Sequence, residues 1–207
     1  MFFDPQAGTV VWIPVANGSE TMFRFDWTLN AWVPHGWFPY YGGTGYNGLA
    51  YSDIYAAYDP VRRRHLVTVD RVYTPGAMWW YDTSGPTPTW TRITNAPAEI
   101  LNANSVAFDT VNNVFLLVKG LGDGSFVMYA YDQAGVWHRL TPAGTPPIAV
   151  HGGSGFVRSG AWNMLNWDPV HHIFFFFHSI NGSNDPGSGG NNETDFETWA
   201  FRYRPGN

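Results

Sequence analysis

The sequence predicts an all-β fold of four repeated antiparallel units, and three observations lead there. The first is composition. Aromatic residues make up 18% of the 207 and charged residues only 13%, against about 25% charged in an average soluble domain. With 23 Gly and 15 Pro, the chain suits short strands joined by tight turns. The second observation is a recurring aspartate turn: "FFDPQAGTVVWI", "AYDPVRRRHLVTV", "AFDTVNNVFLLV" and "NWDPVHHIFFFF". Their aspartates, Asp4, Asp59, Asp109 and Asp168, lie 55, 50 and 59 residues apart. The third is an aromatic strand downstream, ending at Asp26, Asp82 and Asp132, which is 22, 23 and 23 residues after the turn aspartate.

Each element has a physical reason. Aspartate accepts hydrogen bonds from the backbone that follows it and Pro presets the turn, so the Asp-Pro pair is hairpin chemistry. The apolar run after it suits a strand covered on both faces. The aromatic strand follows, and then a fourth strand holding Trp32, Trp90 or Trp137, expected to be equivalent residues that pack between units. In the second unit the four strands read "DIYAAYDP", "RHLVTVD", "AMWWYD" and "TWTRIT". Four antiparallel strands at a period near 50 residues are the pattern of a β-propeller blade. One propeller domain is expected over 1–207, in units of about 1–48, 49–98, 99–145 and 146–207, with sheets beginning near Phe3, Ile54, Val106 and Trp162. The last blade is expected to be incomplete: its third strand, "TWAFRYR", is expected to place Arg204 at the aspartate position, with no fourth strand after it in this sequence.

The repeat also explains two adjacent histidines. His171 and His172 stand where other copies have Arg62 to Arg64 or Asn112 and Asn113, so they are turn residues of a hairpin rather than ligands of a metal. Phe174 to Phe177 stand where "LVTV" and "FLLV" do, as strand core.

The pairings of Tyr81-Asp82 with Trp90, Tyr131-Asp132 with Trp137 and Phe25-Asp26 with Trp32 resemble kelch-type repeats and the central propeller of the galactose oxidase group. The glycine doublet of those repeats is missing, with Val69-Asp70, Val118-Lys119 and His178-Ser179 in its place. The copper site of the galactose oxidase group depends on a tyrosine cross-linked to cysteine, and this chain has no cysteine. That resemblance therefore implies no cofactor here. It implies ligand contact at the face formed by loops between second and third strands and between blades.

Three long loops fall there: 33–48, 141–160 and 179–195. Long loops inside compact domains are uncommon and often functional. The first carries Trp37, Phe38, Tyr40, Tyr41 and Tyr46 among glycines, and exposed aromatics stack on sugars or anchor protein contacts. Trp37, Tyr40 and Tyr41 are the expected partner-binding residues, with Tyr73, Arg71, His151 and Arg158 as polar neighbours from adjoining loops. The 179–195 loop is rich in oxygen-bearing side chains but lacks EF-hand spacing, so it is expected to be solvated. Asn17, Asn181 and Asn192 head N-x-S/T sequons.

Other classes are excluded or disfavoured. A net charge of -5 gives no basic patch for nucleic acid. No pure apolar run, 173–177 included, comes near the roughly 18 residues of a membrane helix. The N-terminus lacks the pattern of a signal peptide. No catalytic or metal-binding residues are assigned, since nothing places an acid and a base together. The expected function is a non-enzymatic module that binds a protein or glycan. The alternative is a structural component of a larger extracellular or virion assembly, including a homo-oligomer.

Overall fold

The computed structural model describes residues 1–13, 21–38, 52–71, 77–85, 87–101, 103, 105–120, 126–142, 164–181 and 194–205. Four antiparallel sheets follow one another along the chain. The first holds β1 (Phe2–Asp4), β2 (Thr9–Trp12), β3 (Thr21–Asp26) and β4 (Ala31–Trp37). The second holds β5 (Ser52–Asp59), β6 (Arg64–Arg71), β7 (Ala77–Asp82) and β8 (Thr89–Ile93). The third comprises β9 (Ser105–Asp109), β10 (Val114–Gly120), β11 (Phe126–Tyr131) and β12 (Trp137–Leu140). The fourth has three strands, β13 (Met164–Asp168), β14 (Ile173–Asn181) and β15 (Thr194–Phe201). Every sheet is a simple meander, each strand paired with the next. The only helical element among the described residues is a 3-10 turn at Ala98–Ile100.

The aspartate turn closes the first hairpin of each sheet by the same bonds. Asp59 Oδ1 accepts from the backbone N–H of Val61 (2.9 Å) and Arg62 (3.1 Å). Asp109 Oδ1 accepts from Val111 and Asn112, and Asp168 Oδ1 from Val170 and His171. Asp4 Oδ1 does the same for Gln6 and Ala7. The residue three places after the aspartate then ties down Oδ2: Arg62 at 3.1 Å, Asn112 at 2.7 Å and His171 at 2.7 Å. The fourth place is left-handed in every copy, with φ of 60° at Gly8, 57° at Arg63, 55° at Asn113 and 55° at His172. Such a conformation suits Gly and Asn and strains Arg and His. His171 and His172 are thus turn residues, one closing the turn and the other occupying its strained corner. His171 also holds the Asp168 carboxyl below its usual range, chiefly through that side-chain hydrogen bond.

Consecutive sheets pack face to face and bury three apolar layers. Phe2, Val11, Ile13 and Met22 of the first sheet and its tail meet Val67, Trp79 and Tyr81 of the second. Leu66, Met78 and Trp80 on the second sheet's other face meet Phe108, Phe115, Leu117 and Tyr131 of the third. Ala107, Leu116 and Val118 of the third meet Leu165 and Phe174 of the fourth. Side chains alternate across each strand, so the repeat assigns each position a face. The leading face, toward the preceding sheet, takes the residue before the turn aspartate and those six and eight places after it. The trailing face takes the residues between them.

Strand pairing corrects the expected alignment of the fourth unit. Phe201 pairs with Phe174 as Tyr131 pairs with Phe115. The residue at the aspartate position is therefore Arg202, not Arg204. Its guanidinium donates to the carbonyls of His171 and His172, at 3.1 and 3.2 Å.

Candidate functional site: the open face of the first sheet

The first sheet has no preceding sheet against its leading face among the described residues, and that face is apolar throughout. The repeat places Phe3, Val10, Trp12, Phe23, Phe25 and Trp32 there, in register across four strands: Phe3 opposite Val10, Trp12 opposite Phe23, Phe25 opposite Trp32. The rings touch edge-on or tilted. Trp12 lies 5.7 Å from both Phe23 and Trp32, and Phe25 lies 5.4 Å from Trp32 and 4.7 Å from Trp27. Trp27 Nε1 donates to the Gly8 carbonyl at 2.9 Å, which pins that ring over the edge of the sheet.

Trp37 completes the face. A β-bulge shifts the register of β4, so that Pro34 opposes Phe23 and Trp37 opposes Thr21. Gly36, at φ 92°, supplies the backbone conformation the shift requires. Trp37 is 69% exposed, whereas Phe38, the next residue, is buried against Trp90 at 4.9 Å and Trp79 at 6.2 Å. The expected loop at 33–48 therefore begins as strand, with 33–37 in β4, and one of its supposed exposed aromatics belongs to the core. Phe38 anchors the chain immediately beside Trp37 and so fixes that ring's position.

A polar cluster lies behind the face, between first and second sheets. His65 is buried and its Nε2 donates to the Phe3 carbonyl at 3.0 Å, while Nδ1 is buried without a partner. The ring packs against Phe2, Tyr58 and Tyr81. Burial holds its pKa below that of free imidazole. His35 Nε2 meets the Tyr81 hydroxyl at 2.8 Å. Burial, with Arg24 nearby, lowers the pKa of His35, and burial, with Asp4, raises that of Tyr81. These groups join β1, β4, β6 and β7, so they fix the spacing of the two sheets that carry the face.

Of the expected partner-binding residues, Trp37 stands on this face. Arg71 is the last residue of β6 rather than part of a loop, and Asp70 pairs with Asp53 within the same sheet. Tyr40, Tyr41, Tyr73, His151 and Arg158 lie outside the described residues. The sequence pointed to the 33–48 segment and missed the broader face to which Trp37 belongs. The available signal was that positions Phe3, Val10, Trp12, Phe25 and Trp32 are apolar in the first repeat of the sequence. Trp90 and Trp137 are half-buried, as expected of residues between units, and pack on Tyr81 at 4.7 Å and Tyr131 at 4.3 Å. Trp32 departs from them and is exposed.

No group of three or more His, Asp or Glu side chains among the described residues is arranged to hold a metal ion. No helix among them is long and apolar enough to cross a membrane. No family model matches the chain, and no curated protein matches it either.

Proposed function

We propose that the protein is a non-enzymatic interaction module, a β-propeller-like stack of kelch-like four-stranded blades that engages a protein partner through the leading face of its first sheet. One observation carries this reading: a continuous aromatic face across β1 to β4, ending in the exposed and anchored Trp37. Contiguous apolar patches of this kind are uncommon on soluble monomers and mark interaction sites, and Trp is the residue most enriched at interface hot spots. The turn aspartates support the non-enzymatic part, because Asp4, Asp59, Asp109 and Asp168 are all engaged as hairpin acceptors. Assembly into a larger structure is the same reading with a fixed partner.

The test combines accessibility and tolerance. Acrylamide should quench a large share of the tryptophan emission of single chains, and Trp37→Ala with Trp12→Ser should reduce that share while the melting temperature stays nearly unchanged. Shielded tryptophans, or unfolding caused by Trp12→Ser, would mean that the face is internal. A glycan array forms the second arm: binding lost in Trp37→Ala would move the partner class from protein to carbohydrate.

A further inference from the structure

We infer that the occupant of the open face is the fourth sheet of a second copy of this chain, docked head to tail. This rests on the interaction reading above and names its partner. The three interfaces within the chain are copies of one another. A leading face rich in aromatic residues meets a trailing face of mixed aliphatic and aromatic ones, Phe2 and Trp80 among the latter. Tyr58, His65, Val67, Tyr81 and Trp90 form the leading face of the second sheet. Phe108, Phe115, Leu117, Tyr131 and Trp137 form that of the third. At the same repeat positions the first sheet carries Phe3, Val10, Trp12, Phe25 and Trp32. It is built as a leading face at every position, and among the described residues no sheet covers it.

The complementary half is present at the other end of the stack. The trailing positions include Ala57, Leu66, Met78 and Trp80 in the second sheet and Ala107, Val114 and Leu116 in the third, all pressed on the following sheet, and Arg64, whose guanidinium lies over Trp80. In the fourth sheet the corresponding residues are Asn166, Ile173 and Phe175, with Ala200 opposite Phe175. They alternate with Leu165, Phe174 and Phe176, which face the third sheet, so they point away from it. Asn166 and Ala200 are exposed. Asn166 is the polar departure, and the internal interfaces also hold polar bonds between sheets. Thr68 Oγ1 donates to the Ala103 carbonyl at 2.8 Å, and Ser105 Oγ accepts from the Leu165 N–H at 2.6 Å.

The fourth sheet's trailing face is thus the natural mate of the first sheet's leading face. Within one chain the first strands pack in the order β1, β5, β9, β13; among the described residues no apolar cluster joins the first sheet to the fourth, and Phe3, Trp12 and Trp32 are exposed. A second copy supplies the missing mate. Two chains joined by two such contacts satisfy both open faces and close a two-fold particle of eight sheets.

Sedimentation velocity on the 1–207 chain tests this. The expected species is a discrete pair with twice the 23.2 kDa chain mass. Trp12→Glu, on the leading face, and Phe175→Glu, on the trailing face, should each give single chains. Mixing the two variants should restore a one-to-one pair, because one intact leading face then meets one intact trailing face. Phe3→Glu serves in place of Trp12→Glu if circular dichroism shows that variant to be unfolded, and Asn166→Arg likewise replaces Phe175→Glu. A Phe175→Glu or Asn166→Arg chain that still pairs would show first sheet docking on first sheet, and a ladder of larger species would show contacts that do not close. Either overturns the inference. Single wild-type chains also overturn it, and acrylamide then separates two cases. Accessible tryptophans leave the interaction reading standing, while shielded ones show a ring closed within one chain and remove both.

Discussion

The first and third sheets carry the same repeat and differ in what surrounds them. Phe108 and Phe3 both precede a turn aspartate, yet Phe108 is 5% exposed and Phe3 55%. Five of the six residues of β11 are buried, against one of the six in its counterpart β3. Among the described residues the third sheet lies between two others, and the first packs on one. Local sequence therefore decides strand, turn and pleat, while burial is decided by the neighbour. Apolar side chains on a leading face are core in one sheet and contact surface in another.

Truncation at one repeat position should break or sharpen this comparison most clearly. Tyr131 and Phe25 occupy equivalent places in β11 and β3. Tyr131→Ala should cost about 3–5 kcal/mol, as large-to-small core changes do. Phe25→Ala should cost about 1 kcal/mol at concentrations where only single chains remain, since it removes half-exposed area. Urea denaturation of both variants would measure the difference. Equal losses would mean that the first sheet's face is covered in the free chain.

A second and smaller effect concerns the position of His65, which is Phe115 in the third sheet and Phe174 in the fourth. Burial depresses the folded-state pKa of His65 below 6.5. As pH falls through 6.5 the unfolded chain takes up the proton first, so stability is full above that value and declines below it. The hydrogen bond to the Phe3 carbonyl and then the charge of Asp4 oppose the depression without reversing it. The melting temperature of the wild type should fall more between pH 7 and pH 5 than that of His65→Gln, whose amide can donate to the Phe3 carbonyl without titrating. Parallel profiles would remove His65 as the source. His35, also depressed by burial, contributes in the same direction in both chains.

The smallest effect lies at the left-handed corner of the hairpins. His172→Asn should raise stability by about 0.5 kcal/mol, because Asn tolerates the conformation that Asn113 already adopts in the third sheet. Loss of the stacking of His172 on Trp167, at 6.3 Å between centroids, works against the gain. A net decrease in thermal midpoint would show that the stacking outweighs the backbone strain.

The hairpins were legible in the sequence because their bonds are local: an aspartate carboxylate reaching the N–H two and three residues on requires nothing from elsewhere. Strand order within each sheet followed from the same turns. The alignment of the fourth unit was not legible. "TWAFRYR" alternates in a way that fits two registers, and only the pairing of Phe174 with Phe201 decides between them. Nor was the open face, since Trp32, Trp90 and Trp137 read alike until the sheet that covers each is known. Trp37 and Phe38 were read together as loop aromatics. The bulge at Gly36 and the strand before it send them to opposite sides.

The aspartate-closed tips also make the molecule a ruler. Val61, Val111 and Val170, two places after their aspartates, are exposed, and it is their backbone, not their side chains, that closes the turn. Neighbouring tips touch: Arg63 donates to Gln6, and Trp167 to Thr110 at 3.0 Å. Sheets packed face to face stand about 10 Å apart, and these valines mark the tips of three successive sheets. The chain has no cysteine of its own, so a thiol introduced at any one of them would be unique. Pairs of spin labels or dyes placed there would read the spacing between neighbouring sheets within a chain, and a label on each of two chains would read it across a junction between copies.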